Sequence, residues 1–291
     1  MSPRVVVIPG DGIGPEVIGE AVKVIPPDVE LTWLDAGVER YLATGDLLTD
    51  AEMGSIAAAD AVLLGAVGDP RVPDGVLERG ILLRLRKALD LYINLRPLTG
   101  LDLVLVRENT EGPYSGVGGR SGDIATEVNI NTRRAIERCV RYAFELATTR
   151  RCQVTLVHKS NVLVHAGALW REVAEETASR FPGVALGYEH ADAAAYHLVT
   201  DPRRFDVIVT DNLFGDILSD LAAGLDGGLG RAASANLHPD PTTRRTRCVG
   251  LFEPVHGSAP DIVGTGTADP TAAISAAQMM LDALDKEASL A

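Results

Sequence analysis

The chain has 291 residues, enough for one large or two ordinary domains, of which 46% are apolar and only 4% aromatic. Ala, Val, Leu and Ile must therefore fill the interior, which suits packed α/β layers. Twenty-seven basic against 40 acidic side chains leave a net charge of −13, which excludes a nucleic-acid backbone as natural partner and obliges any anionic substrate to find a local arginine cluster.

In chain order, short β-branched runs alternate with helical stretches. Residues 4–9 (RVVVIP) read as a buried strand, 15–25 as a helix, 29–35 and 61–65 as further strands, and 82–91 as a helix. After Pro97 the pattern restarts, with strands at 101–107, 153–158, 184–188 and 206–210. Helices are expected at 132–149, 166–180, 192–199 and 271–284. The longest loop is expected at 235–247, rich in Asn, Pro, Asp, Thr and Arg, crossing between two sub-structures. Boundaries near Pro97 and Gly250 predict one domain from residues 1–97 plus 250–291 and a second from 98–249. Three widely spaced cysteines (Cys139, Cys152, Cys248) give neither a disulfide framework nor a zinc spacing. No apolar run is long enough for a signal peptide or a membrane span, so a soluble protein of the reducing cytoplasm is expected.

Two motifs carry chemistry on their own terms. In 211–225 (DNLFGDILSDLAAGL), Asp216 and Asp220 stand four apart in a helical pattern, one turn apart on one face. They can share a divalent cation, or they can be helix-dipole acids with Asp211 as the N-cap. The loop GDGIGPEV (10–17) follows a strand and opens a helix, where a dinucleotide fingerprint would sit, and Asp35 mimics its ribose acid. Pro15 nevertheless occupies the sixth position, which the fingerprint needs as Gly; proline suits a first helical residue instead. A tight strand-to-helix turn is the simpler reading.

Five blocks together bring in a resemblance: GDGIGPEV, LRLRKALDLYINLRP (83–97), RENTEGPYSG (107–116), HKSNVL (158–163), and 211–225 followed by FEPVHGSAPDI (252–262). In this order they resemble the isocitrate/isopropylmalate β-decarboxylating dehydrogenase family over nearly the whole chain, and the isopropylmalate branch above the others. The resemblance implies a two-domain α/β fold that is not a Rossmann fold. It implies a homodimer with a shared active site in an interdomain cleft, and NAD and Mg²⁺ or Mn²⁺ as cofactors. Family members extend beyond Ala291 by two further helices, so the chain is expected to be short at its C-terminus, and its segments 96–103 and 116–132 look trimmed.

The resemblance also assigns residues. Arg86, Arg96 and Arg107 fall on the arginines that bind a 2-hydroxy dicarboxylate, for which a planar guanidinium is suited. Asp216 and Asp220 match metal ligands of one subunit, and Asp192 the ligand from its partner; all-oxygen ligation suits hard cations. Lys159 falls on the base that removes the C2 hydroxyl proton, and Tyr114 on the acid that protonates C3 after CO₂ leaves. Glu253, His256, the Gly257, Ser258 and Ala259 backbone, Asp261 and Asp269 match the cofactor loops. Asp261 is placed against the ribose hydroxyls, which favours NAD over NADP. Leu82 and Leu83, just before Arg86, offer apolar surface to the C3 substituent. Arg84 facing inward would offer a cation, but helical spacing turns it off the Leu82–Arg86 face. The expected reaction is NAD-dependent oxidative decarboxylation of 3-isopropylmalate to 2-oxoisocaproate, a step of leucine biosynthesis. The alternatives are a paralogue acting on isocitrate, homoisocitrate, tartrate or D-malate, or a non-catalytic partner subunit. His158 is read as structural.

Overall fold

The computed structural model describes residues 2–290, side-chain detail stopping at 289. In chain order it runs β1 (Arg4–Ile8), α1 (Gly14–Ala21), β2 (Glu30–Trp33), α2 (Val38–Thr44), α3 (Asp50–Ala58), β3 (Ala61–Leu64), α4 (Val76–Glu78), a π-helical turn (Arg79–Leu83) and α5 (Arg84–Ala88). There follow β4 (Ile93–Leu98), β5 (Leu103–Glu108), β6 (Gly118–Ser121), β7 (Ile124–Glu127), α6 (Arg133–Thr148), β8 (Gln153–His158), α7 (Val164–Ala178), β9 (Ala185–His190) and α8 (Ala191–Thr200). The chain finishes with β10 (Val207–Thr210), α9 (Asn212–Leu225), β11 (Ala233–Leu237), β12 (Gly250–Pro254) and α10 (Thr271–Leu290).

These elements form two compact units, Met1–Leu91 with Gly227–Ala291, and Tyr92–Asp226. The expected boundaries at Pro97 and Gly250 are corrected by strand pairing. β4 runs antiparallel to β5 through six residue pairs, Ile93↔Glu108 to Leu98↔Leu103, which ties residues 93–97 to the second unit. β11 pairs antiparallel with β12, Ala233↔Pro254 to Leu237↔Gly250, which ties the segment after Asp226 to the first. The loop expected from Ala235 onward is corrected by the same pairing: Ala235, Asn236 and Leu237 are strand, and irregular chain begins only at His238. ASANL lacks the branched residues that mark strands in sequence.

In the first unit the strand order is β2-β1-β3-β12-β11, parallel except for the last pair. Val6, Ile8, Val62, Leu64 and Leu251 point into a core completed by Ile56 of α3 and by Ile81 and Leu85 around α5. Strands buried on both faces need continuous apolar runs, which VVVI and AVLL supply. Thr49 caps α3 with a full capping box: its hydroxyl receives the Glu52 amide while the Glu52 carboxylate receives the Thr49 amide. Arg40 then grips Glu52 by both nitrogens, at 2.7 and 2.9 Å.

In the second unit the order is β4-β5-β10-β8-β9, again parallel except for one terminal pair. α6 buries Ala135, Ile136, Cys139, Val140, Ala143, Phe144 and Ala147, the i, i+4, i+8 stripe its sequence predicts. The segment 116–132 contains a two-stranded hairpin, β6 with β7, whose residues are all exposed. No described helix is long and apolar enough to cross a membrane.

Candidate active site

The chemistry in the second unit gathers on α9, which begins where β10 ends. Asp211 is its N-cap, its Oδ1 accepting the Phe214 amide at 2.9 Å. Capping fixes the start of the helix, and the i, i+4 spacing then sets Asp216 and Asp220 on one face. Arg96, on β4, reaches both: Nη1 lies 2.6 Å from Asp220 Oδ1 and Nη2 lies 3.4 Å from Asp216 Oδ1. Arg107, at the end of β5, is buried and forms a close ion pair with Asp216. The Tyr114 hydroxyl donates to the other Asp216 oxygen at 2.6 Å, and the Arg107 guanidinium sits 5.0 Å from the Tyr114 ring centre.

This crowding sets the charge states. Burial opposes ionisation of Asp216, but Arg107, the Tyr114 hydroxyl and Arg96 outweigh it and hold the carboxyl below its usual range. At Asp220 burial wins: with the negative Asp216 beside it, Arg96 and the more distant Arg107 do not offset it, and the carboxyl is pushed up. The pair is a short-range repulsion that guanidinium groups now relieve and a divalent cation would relieve as well. Close approach here depends on Gly215, since a Cβ at that position would lie 2.6 Å from Arg107 Cγ.

Several contributors were not singled out in the sequence. Asn94 accepts from Arg96 Nε at 2.8 Å, Ser219 from Arg96 Nη1 at 2.7 Å, and Asn212 from Arg107 Nε at 2.7 Å. Each is buried. The signal was present: Asn94 stands two residues before Arg96 on one strand face, and Asn212 and Ser219 lie one turn before Asp216 and one residue before Asp220. Glu108, next to Arg107, is buried and pushed up by that burial, even though Thr110 and the Glu111 amide donate to it.

A second pairing lies at the ends of β8 and β9. Lys159 Nζ is 2.5 Å from Asp192 Oδ1, and this contact lowers the Asp192 carboxyl. His158, fully buried, packs between Trp170 and Phe214, its Nε2 3.5 Å from Asp211. Among the described residues no group of three or more His, Cys, Asp or Glu side chains is arranged around one metal position. One chain thus offers Asp216 and Asp220 as an incomplete set of oxygen donors, of the kind Mg²⁺ and Mn²⁺ take.

The first unit holds the remaining candidates. The segment 79–83 winds as a π-helical turn, a form common at functional sites, which carries Leu82 and Leu83 and runs into α5 with Arg86. Leu82 packs on the core and both leucines stay partly exposed. Arg84 turns elsewhere, donating to the Leu48 carbonyl at 2.6 Å and to Asp50 at 3.2 Å. Arg86 is buried against Glu253, 3.1 Å away, and Asn236 donates to the same Glu253 oxygen at 2.9 Å.

After β12 the chain makes the loop of His256, Gly257, Ser258, Ala259 and Asp261. The glycine-rich turn carries this loop: the Ile13 amide donates to the Ser258 carbonyl at 2.9 Å, and a Cβ on Gly12 (φ +57°) would meet that carbonyl oxygen at 2.0 Å. Asp11, buried, fixes the turn by accepting the Val38 amide at 2.7 Å and the Gly68 amide at 3.0 Å. Burial pushes its carboxyl up. Within the loop, His256 Nε2 is buried without a hydrogen-bond partner. Asp261 is exposed in a 3₁₀ turn, and Asp269 accepts the amide and hydroxyl of Thr271 at 2.9 and 2.6 Å. An orphaned imidazole nitrogen and an exposed carboxylate on one loop fit a polar, hydroxyl-bearing cofactor such as NAD.

The fold is that of a class of α/β dehydrogenases built without a Rossmann frame. The family described as isocitrate/isopropylmalate dehydrogenase matches residues 4–290, and the chain belongs to that family of β-decarboxylating dehydrogenases. Among its relatives, a 3-isopropylmalate dehydrogenase of Nocardia farcinica is 54% identical, over 98% of this chain and 90% of its own length. One from Corynebacterium glutamicum is 53% identical over 98% and 88%. Of solved structures, an isocitrate dehydrogenase from Methylococcus capsulatus superimposes with a TM-score of 0.87 at 42% identity, covering 97% of this chain and 86% of that one.

Proposed function

We propose that the chain catalyses the NAD-dependent oxidative decarboxylation of 3-isopropylmalate to 2-oxoisocaproate, as a step of leucine biosynthesis in the cytoplasm. The observation that supports it most is the convergence of Arg96, Arg107 and Tyr114 on Asp216 and Asp220, two cations and a proton donor on a carboxylate pair. The names borne by the relatives at 53–54% identity point to the same substrate. Three free cysteines suit a reducing compartment.

When bound, Mg²⁺ or Mn²⁺ supplies Lewis-acid polarisation of the C2 oxygen and NAD supplies a hydride acceptor. Asp216 and Asp220 would hold the metal together with Asp192 of a second copy. Arg86, Arg96 and Arg107 bind the substrate's carboxylates as permanent cations in planar, bidentate geometry. Lys159 accepts the proton of the C2 hydroxyl while hydride leaves C2. Loss of CO₂ from C3 then leaves an enolate carbon, to which Tyr114 delivers a proton. Leu82 and Leu83 face the isopropyl group, and the apolar contact contributes about 2 kcal/mol. Glu253, His256, the backbone of Gly257, Ser258 and Ala259, and Asp261 and Asp269 hold NAD. The Asp261 carboxylate accepts from the ribose hydroxyls and repels a 2′-phosphate.

The working form is a homodimer with a shared site. Tyr196 and Val199 on α8 and Leu213 and Ile217 on α9 are large apolar side chains left exposed, on two helices that pack together. A second copy of the same face would cover them. Because Lys159 is ion-paired to Asp192, the two serve the same active centre.

The test is NADH formation by purified protein with NAD, Mg²⁺ and each 2-hydroxy diacid in turn. Preference for 3-isopropylmalate is expected. The likeness to an isocitrate dehydrogenase structure supports a second reading, and faster turnover of isocitrate or D-malate would move the assignment there. Folded, dimeric protein inert toward every diacid would make it a non-catalytic partner subunit.

A further inference from the structure

Among the described residues Lys159 has one ion-pair partner, Asp192, which itself is exposed. A base working at one oxygen atom needs its own main chain fixed, because four methylene groups separate Nζ from Cα. The fixing comes from Tyr188 on the neighbouring strand. β8 and β9 run parallel with Leu156 opposite Tyr188 and His158 opposite His190, so the Tyr188 side chain leans along β9 toward the end of β8.

There its hydroxyl meets the peptide on both sides of the lysine. It donates to the His158 carbonyl at 3.1 Å, and it receives the Ser160 amide at 3.2 Å. The Ser160 hydroxyl lies 2.7 Å away, and His190 Nδ1 lies 3.0 Å away, two residues before Asp192. One phenolic oxygen thus touches the flanks of Lys159 and the approach to its partner aspartate. The ring itself is only partly buried. Tyr188 borders a cavity of about 200 Å³ lined also by Leu156, Arg171, Ala174, Glu175 and Leu186; the Arg171 guanidinium lies 4.2 Å over the ring, and the His190 ring meets it edge-on at 5.3 Å. Hydroxyl contacts to residues 158–160 add to these ring contacts and tie the side chain to the end of β8.

We infer that Tyr188 is a positioning residue for the lysine base: its hydroxyl clamps the backbone of residues 158–160 and so aims Lys159 at the substrate's C2 hydroxyl. The inference rests on the assignment of Lys159 as base. It predicts a defect in the chemical step and none in cofactor binding.

The test compares Tyr188→Phe, Ser160→Ala, Arg171→Leu and Lys159→Ala in the full-length enzyme with Mg²⁺, NAD and 3-isopropylmalate, unlabelled or deuterated at C2. Tyr188→Phe is expected to lower kcat about tenfold, with KM for NAD and the melting temperature unchanged and a larger primary isotope effect on kcat. Ser160→Ala should show the same pattern more weakly, and Arg171→Leu, which spares the hydroxyl, should leave kcat within about twofold. A Tyr188→Phe enzyme with wild-type kcat and isotope effect overturns the inference. So does one whose KM values rise and melting temperature falls with the isotope effect unmoved. Should Tyr188→Phe not fold, Ser160→Ala decides: a kcat loss with an enlarged isotope effect supports the clamp, and wild-type behaviour removes it. If Lys159→Ala still turns over, the base assignment fails instead, which the other variants cannot mimic.

Discussion

The two units share a strand scheme, five strands with four parallel and one reversed, yet they prepare for chemistry in opposite ways. The second unit works with side chains on regular elements: buried Arg96 and Arg107 from strands, half-buried Asp216 and the more exposed Asp220 from a capped helix, all already paired. The first unit works mainly with backbone, where a glycine turn props a loop whose acids Asp261 and Asp269 lie exposed. Ionic chemistry in a low-dielectric setting needs charges held to fractions of an ångström, which helices and strands supply. A dinucleotide is grasped over a long surface by hydrogen bonds, which a loop can supply if something rigid lies beneath it.

The sharpest way to break this contrast is at Lys159. Lys159→Ala should lower kcat by about 10³-fold or more while NAD affinity, measured by fluorescence titration, is retained. Undiminished turnover would show that the second unit is not where the proton is taken. Next come the two glycines. Gly12→Ala forces a β-carbon against the Ser258 carbonyl and should cost about 2–3 kcal/mol, with NAD affinity falling and Mn²⁺ binding spared. Gly215→Ala crowds Arg107 and should do the reverse: about 1–3 kcal/mol of stability, with Mn²⁺ binding weakened and NAD affinity kept. Thermal melts with each ligand read both, and equal loss of both ligands in either variant would deny the division of labour. A smaller effect is expected at Asp261→Asn, about tenfold weaker NAD binding with a gain for NADP.

The smallest effect concerns pH. Glu52 is held down to about 2, first by Arg40 and further by the Thr49 contacts, with burial opposing. A carboxyl lowered on folding contributes stability above its unfolded value of about 4.3, and that contribution is lost as pH falls toward 2. After allowance for solvent screening it amounts to about 1 kcal/mol. Urea melts of wild type and Glu52→Gln should converge between about pH 5 and 2. A constant gap would assign the Glu52 effect to geometry alone.

Much of this was legible from the residues. The long amphipathic stretch 133–148 and the uniformly apolar β1, β3 and β10 follow directly from their periods, and Asp211 is the cap its position predicts. β4 escaped because INLRPL spends its polar positions on the site, where Arg96 and Asn94 override strand propensity. β11 escaped because ASANL is small and polar, and its pairing with β12 is visible only in space. Arg84 turned out as helical spacing suggests, bonded to Leu48 and Asp50. The glycine turn is the strand-to-helix turn that Pro15 suggested, but its bond to the Ser258 carbonyl, 245 residues downstream of Ile13, has no local signature.

The π-turn before Arg86 carries one residue more than an ordinary helix would need across the same span. Excising a single position there would let the segment rewind as α-helix over the same span, so the flanking turns keep their places while the residues inside the turn re-register by about 100° around the axis. Leu82 and Leu83 would then present a different flank without any change of residue type. Under the proposed function, appetite for one C3 branch over another would therefore be retuned here by chain length alone, a route that comparisons of residue identity would overlook.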